Sequence, residues 1–328
     1  MTSLYPALVA DIGGTNARFA MIDQPGTKLR DVVHLKTGDY PGLYEAMGAY
    51  GEQTGNKPRA ACVAVAGPVM SDHISFPNQS FAFSIAETRR KTGLPLDVIN
   101  DGAAFAYSLP HLPAEELLSL GGGEMSPTHA KVAVCPGTGL GASGLVPYGR
   151  AKGDVDWVAV PGETGHVDLP VVEELEIEVL RAVRKERGRT SVEAILSGPG
   201  LLILRNAIAA VLDLDAAPID AAELTRLATA RDGADPLCKQ TLETFCALLG
   251  GVAGNMALTF GALGGVYIGG GIPPRFPDFL KASAFRHRFE AKGRMSDLLK
   301  RIPTLLITGH NVALRGAAVH LQALSHKS

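Results

Sequence analysis

Apolar positions in the first hundred residues fall into short runs separated by turn formers. Residues 7–12 form an apolar, β-prone run, Gly13-Gly14-Thr15-Asn16 reads as a turn, and residues 17–22 resume the strand, predicting a hairpin. Residues 32–36 predict a third strand and residues 40–54 a helix. Residues 60–66 are apolar throughout, as suits a strand buried on both faces. Ser84 stands as N-cap of a helix through Lys91, with Glu87 placed to complete a capping box. Residues 96–99 predict another strand, which delivers Asn100 and Asp101 at its C-terminal end. Open α/β sheets bind ligands at such ends.

The pattern then recurs. Residues 131–134 predict a strand, 136–141 a Gly-rich turn, 142–146 a return strand and 157–160 a third strand. A strand, a Gly/Thr turn and a second strand therefore open each half, which points to duplicated domains. Residues 171–261 read as mainly helical, with strands at 266–269 and 304–307. A closing helix at 312–324 places Leu314, Ala317, Ala318 and Leu321 at helical spacing. The Pro-, Gly- and Ser-rich stretch 112–128 reads as a domain boundary.

Composition narrows the classes. Hydrophobic residues make up 46% and charged residues 20%, which suits a globular chain with a sizeable core. The 31 basic and 33 acidic residues leave a net charge of -2, so no basic surface argues for a nucleic acid or an anionic membrane. Residues 244–274 carry no charge, but Gly250, Gly251, Gly254, Asn255, Gly261, Gly264 and Gly265 interrupt them. A buried helix followed by a buried strand is expected there rather than a membrane span. The first basic residue is Arg18, so a signal peptide's charged n-region is missing. Four cysteines without CxxC spacing then read as reduced thiols of a cytoplasmic protein.

Five constellations could carry chemistry. In Asp11-Ile12-Gly13-Gly14-Thr15-Asn16, glycine amides could converge on phosphate oxygens, Thr15 adds a hydroxyl, and Asp11 could hold Mg²⁺. The alternative is a tight turn with a structural Asp. Gly137-Thr138-Gly139-Leu140-Gly141 offers the same physics from the second half, and Gly269-Gly270-Gly271 could admit a nucleotide against bare backbone. Asn100-Asp101 supplies a carboxylate able to take a hydroxyl proton during phosphoryl transfer, although such pairs also cap helices. Glu163-Thr164-Gly165-His166 suits vicinal sugar hydroxyls, since both side chains can exchange hydrogen bonds with them. As the one Glu-x-x-His in the chain, it does not make a di-metal site. Glu193 is a further carboxylate near a helix start.

These segments run in the order of a known family. Asp11 to Arg18, Phe81 to Glu87, Val98 to Asp101, Gly137 to Gly141, Pro161 to Asp168, Ser197 to Leu201, Gly269 to Phe276 and Phe285 to Arg294 resemble the proteobacterial-type glucokinases. ROK kinases, hexokinase, Hsp70 and actin are more distant kin. The resemblance implies a two-domain, actin-like ATPase fold of the ribonuclease H-like α/β class. A small α/β domain (1–110 plus 306–328) and a larger α+β domain (111–305) would have a ligand cleft between them. It implies Asp101 as general base, with Asn78, Asn100, Glu163, His166 and Glu193 on the sugar. Asp11, Gly13, Gly14, Thr15, Asn16, Gly137, Thr138, Gly139, Gly141, Gly269, Gly270 and Gly271 would line the ATP site, with Mg²⁺ at Asp11. A cytoplasmic homodimer that phosphorylates glucose is expected. A kinase for mannose or an amino sugar is the alternative, and a non-catalytic sugar sensor a more remote one. The chain departs from the family at Pro77 and Phe81, where Thr and Trp are usual, at Gly102, where an aromatic is usual, and at Thr164, where Gly is usual.

Overall fold

The computed structural model describes residues 4–76, 80–151 and 154–325. In chain order the first elements are β1 (Ala7–Ile12), β2 (Asn16–Ile22), β3 (Arg30–Lys36), α1 (Leu43–Thr54), β4 (Ala60–Val65), β5 (His73–Ser75), β6 (Ala82–Ser84), α2 (Ile85–Thr92), β7 (Leu96–Asn100) and α3 (Asp101–Ser108). There follow β8 (Leu117–Gly121), β9 (Lys131–Pro136), β10 (Leu140–Ala151), β11 (Asp154–Gly162), α4 (Glu174–Arg187), α5 (Val192–Ile195), α6 (Gly198–Val211), α7 (Ala221–Ala228) and α8 (Pro236–Phe260). The chain closes with β12 (Val266–Ile268), α9 (Pro277–Ala282), α10 (Phe285–Glu290), α11 (Ser296–Arg301), β13 (Thr304–Ile307) and α12 (Val312–Ser325). Two compact units result. The first comprises Met1–Leu112, Trp157–Pro161 and Gly309–Ser328, and the second Pro113–Asp156 and Gly162–Thr308.

In the first unit five strands lie in the order β3-β2-β1-β4-β7. β1 pairs antiparallel with β2 and parallel with β4, and β4 runs parallel to β7. Alternate residues serve opposite faces, as the strand period requires. Leu8, Ala10, Ile12, Ala61, Val63 and Val65 pack with Leu43, Ala46, Met47 and Tyr50 of α1. Ala7, Val9, Ala60 and Cys62 pack with Leu314, Ala317, Ala318 and Leu321 of α12. That double cover is why β1 and β4 are apolar throughout, and the helical spacing expected of residues 312–324 is the buried stripe of α12.

The second unit repeats the plan. Its strands lie in the order β10-β9-β12-β13-β8. β9 pairs antiparallel with β10 and parallel with β12, which runs parallel to β13. β10-β9-β12-β13 thus matches β2-β1-β4-β7, an antiparallel pair followed by two parallel additions, so the repetition of Gly-rich hairpins in the sequence is a repetition of topology. The uncharged stretch 244–274 forms the second half of α8 and then β12. α8 is apolar and long enough to cross a membrane, but it lies within the unit's core. Its glycines permit close packing: a Cβ at Gly250 would lie 2.1 Å from the Phe285 carbonyl oxygen and one at Gly254 2.6 Å from that of Phe289.

Two details differ from expectation. Ser84 caps α2 through the Glu87 amide at 3.0 Å, but the Glu87 carboxylate pairs with Lys91 at 3.1 Å instead of closing a capping box. Residues 117–121, inside the stretch expected to be a linker, form β8 on the edge of the second sheet. Antiparallel pairing with β13 makes a strand of residues whose own pattern is weak.

Candidate active site

In the first unit the ends of the parallel strands gather the predicted residues. The register aligns Ile12 with Val65 and Val65 with Asn100, so the Gly13–Asn16 turn after β1 and Asp101 after β7 lie at the same end of the sheet. β4 lies between them, which separates the two by about 10 Å at ordinary strand spacing. Asn100 is the N-cap of α3: its Oδ1 accepts from the Ala103 amide at 3.0 Å and its Nδ2 donates to the Gly67 carbonyl at 2.9 Å. Both ends of that side chain are therefore fixed by backbone. Asp101 occupies the first turn of α3, and its Oδ1 accepts from the Gly102 amide at 2.8 Å.

The first turn is pinned from two sides. The Gly13 amide donates to the Asn16 carbonyl at 2.9 Å, while Thr37 donates its hydroxyl to the Gly14 carbonyl at 2.6 Å and its amide to Thr15 at 3.1 Å. Thr37 is fully buried. Nothing in the pattern around it marks it as part of the turn. Thr15 and Asn16 are exposed. Asp11 pairs with Arg18 at 3.1 Å; burial pushes its carboxyl up from the usual range and Arg18 opposes that shift.

Whether Asp11 suits Mg²⁺ follows from its surroundings. No group of three His, Cys, Asp or Glu residues able to hold a metal occurs among the described residues. A single carboxylate, 19% exposed, fits an ion that arrives with nucleotide phosphates and its own water rather than one caged by protein.

The second unit brings together Gly137 to Gly141, Glu163, His166, Glu193 and Gly269 to Gly271. The second turn is closed by Gly137 donating to the Gly139 carbonyl at 2.7 Å, and Gly198 at the start of α6 donates to Gly137 at 2.8 Å. Gly269 donates to Val134 at 2.9 Å, so the triglycine lies beside the end of β9. Gly270 has φ +82°, and a Cβ there would sit 2.2 Å from the Pro136 carbonyl oxygen. Glu163 and His166 are exposed on one short 3-10 turn, whose His166 amide donates to the Glu163 carbonyl at 3.0 Å. Glu193 accepts from the Leu140 amide at 2.8 Å.

The glucokinase family model matches residues 8–324. A glucokinase of Saccharophagus degradans is 42% identical over 98% of this chain and 99% of its own length. The chain belongs to the glucokinase family. A glucokinase crystal structure from an Antarctic psychrotroph is similar over 97% of this chain and 98% of its own, with 38% identity and a TM-score of 0.86. A ROK family glucokinase of Streptomyces griseus, solved with glucose and AMPPNP, shares the fold at 20% identity and a TM-score of 0.62, covering 98% and 99% of the two chains. This glucokinase-family chain thus has the actin-like sugar kinase fold expected from its motifs.

The departures from the family pattern also find places. Phe81 is fully buried, its ring 5.9 Å from Phe76 and 6.1 Å from Phe83 between centroids, so it serves the core. The Thr164 hydroxyl turns toward Met256 Sδ of α8 at 3.8 Å. Gly102 supplies the amide that holds Asp101. Pro77 and Asn78 lie outside the described residues.

Proposed function

We propose that this chain performs the glucokinase reaction, ATP-dependent phosphorylation of the glucose 6-hydroxyl to glucose 6-phosphate, with Asp101 as general base. Asp101 takes the hydroxyl proton as the sugar oxygen attacks the γ-phosphorus, and ADP leaves. Asn100, Glu163, His166, Glu193 and Asn78 hold the other hydroxyls. Amides of the two Gly-rich turns balance phosphate charge. Magnesium bound at Asp11 would neutralise charge on the phosphate oxygens. The placement of Asp101 carries this reading: an oriented carboxylate at the end of a parallel strand, at the same end of the sheet as a pinned glycine turn.

The decisive experiment is a coupled ADP-release assay across glucose, mannose and glucosamine, run on wild type, Asp101→Ala, Glu163→Gln and His166→Ala. Loss of a general base lowers kcat by about 10²–10⁴-fold. The other two variants leave sugar hydroxyls unpartnered, at about 1–3 kcal/mol each, and raise the sugar KM with less effect on the ATP KM. Near wild-type turnover of Asp101→Ala would remove it from the mechanism, and a preference for mannose or glucosamine would reassign the substrate. Cys62, Cys135, Cys238 and Cys246 form no disulfide among the described residues, and a cytoplasmic location is part of the same proposal. A homodimer, as family members commonly form, gives twice the chain mass in light scattering.

A further inference from the structure

Glu193 sits where the two loops of the second unit meet. Its Oε2 accepts from the Leu140 amide, inside the Gly137–Gly141 turn, at 2.8 Å. No side chain separates them: a Cβ on Gly139 would fall 2.3 Å from that oxygen and 3.0 Å from Cδ. The sugar loop closes in from the other side. A Cβ on Gly165 would lie 2.5 Å from the Leu140 carbonyl oxygen and 3.3 Å from Glu193 Oε2. Two backbone segments thus converge on one carboxylate: a side chain at Gly165 would collide with the Leu140 carbonyl, and one at Gly139 would push the carboxylate aside.

The segment leading into Glu193 is also tied to the segment leaving His166. Val192 donates to the Val167 carbonyl at 2.9 Å, and Asp168 bridges to Ser191. Arg189 donates from Nη2 to the His166 carbonyl and from Nε to Asp168 Oδ1, each at 2.8 Å. Displacement of either segment therefore displaces the other. Glu193 Oε1 makes no hydrogen bond among the described residues, which leaves it for a sugar hydroxyl.

We infer that Glu193 is a positioning residue for the nucleotide as well as a sugar contact, and that it couples the binding of the two substrates. This rests on the reading above, in which the Glu163–His166 loop takes sugar and the Gly137–Gly141 turn takes phosphate. A hydroxyl on Oε1 fixes the plane of the carboxylate. That plane sets Oε2 against the Leu140 amide, and with it the direction of the turn's remaining amides. By linkage, an ordered turn raises sugar affinity by the same factor.

The test is calorimetric titration of the full chain with Mg·AMPPNP, with and without saturating glucose, and with glucose alone. In wild type, glucose tightens AMPPNP by at least about fivefold, the lower end of ordinary coupling. Glu193→Ala weakens AMPPNP by a similar factor even without sugar and brings the coupling ratio to one. Glu193→Gln keeps an acceptor for the Leu140 amide and restores most of the sugar-free AMPPNP affinity. Gly139→Ala, which pushes the carboxylate aside while leaving it intact, weakens glucose binding from within the nucleotide turn. An unchanged sugar-free AMPPNP affinity in Glu193→Ala overturns the inference. Glucose affinity then reports separately: if it falls, Glu193 is a sugar ligand alone, and if it holds, the sugar assignment of Glu193 fails as well. Absence of coupling in wild type overturns the inference while leaving both binding assignments intact.

Discussion

Nε2 of His320 lies 2.7 Å from Oδ2 of Asp97, joining α12 to β7 three residues before Asn100. Tyr107 of α3 packs on the same imidazole, with ring centroids 5.1 Å apart. The His320 hydrogen bond, helped by the charge of Arg89, holds the Asp97 carboxyl below its ordinary range. A depressed carboxyl contributes stability that is complete above its unfolded value, about 4, and is lost as pH falls through the folded value. Because both groups are partly exposed, the effect is modest. His320→Gln should lower Tm by about 1–3 °C at pH 6, and the gap should close below about pH 4. Thermal scans by circular dichroism from pH 3 to 7 check this; a gap that widens in acid would contradict it.

Gly316 lets α12 reach α3. A Cβ there would stand 1.5 Å from the Ala104 carbonyl oxygen, inside the helix that begins with Asp101. Gly316→Ala forces the helices apart and should destabilise the protein by about 1–3 kcal/mol or more in urea unfolding. In the protein that remains folded, kcat should fall more than either KM rises, since the base moves with α3.

Arg288 and Glu176 form a buried, bidentate pair between α10 and α4. Their nitrogen–oxygen separations are 2.5 and 3.1 Å, with side chains 5% and 3% exposed. Glu176 also accepts from the amides of Val172 at 2.8 Å and Glu173 at 3.2 Å, which satisfies the start of α4. Arg288→Met leaves a buried charge unpaired and should cost about 3–5 kcal/mol. The double variant Arg288→Met/Glu176→Leu should recover part of that loss. Urea midpoints of both variants decide it, and a double variant less stable than the single would refute the account.

Gly270 combines a left-handed backbone with a place where a Cβ would stand 2.2 Å from the Pro136 carbonyl oxygen. Gly270→Ala strains the end of β12 by about 1–3 kcal/mol and should raise the ATP KM of the order of tenfold. The glucose KM should change much less. Steady-state kinetics with each substrate varied in turn give the ratio.

β1 and β4 were legible because each is short and apolar, and because double cover by helices leaves no polar face to blur the signal. The turns after β1, β9 and β12 stood out because glycine shows in the sequence, and the end of β7 because Asn100 and Asp101 follow a short apolar strand. Residues whose role depends on a distant partner were not legible. Thr37, Arg189 and Arg288 look like ordinary surface residues until folding brings a turn carbonyl, a loop carbonyl and a carboxylate to them. Gly316 looks like a weak point in a helix until Ala104 stands against it.

The sequence by itself determined the doubled strand–turn–strand plan, the family and the chemical types gathered at the strand ends, because local periodicity and glycine placement carry that information. Only the tertiary structure decided how those residues are held. Asn100 is fixed by Gly67, Thr37 pins Gly14, and Glu193 grips the amide of Leu140, a residue 53 positions away. Such links depend on which backbone groups two packed segments leave unpaired where they meet, and burial then requires each to find a partner. No single stretch of chain encodes that requirement.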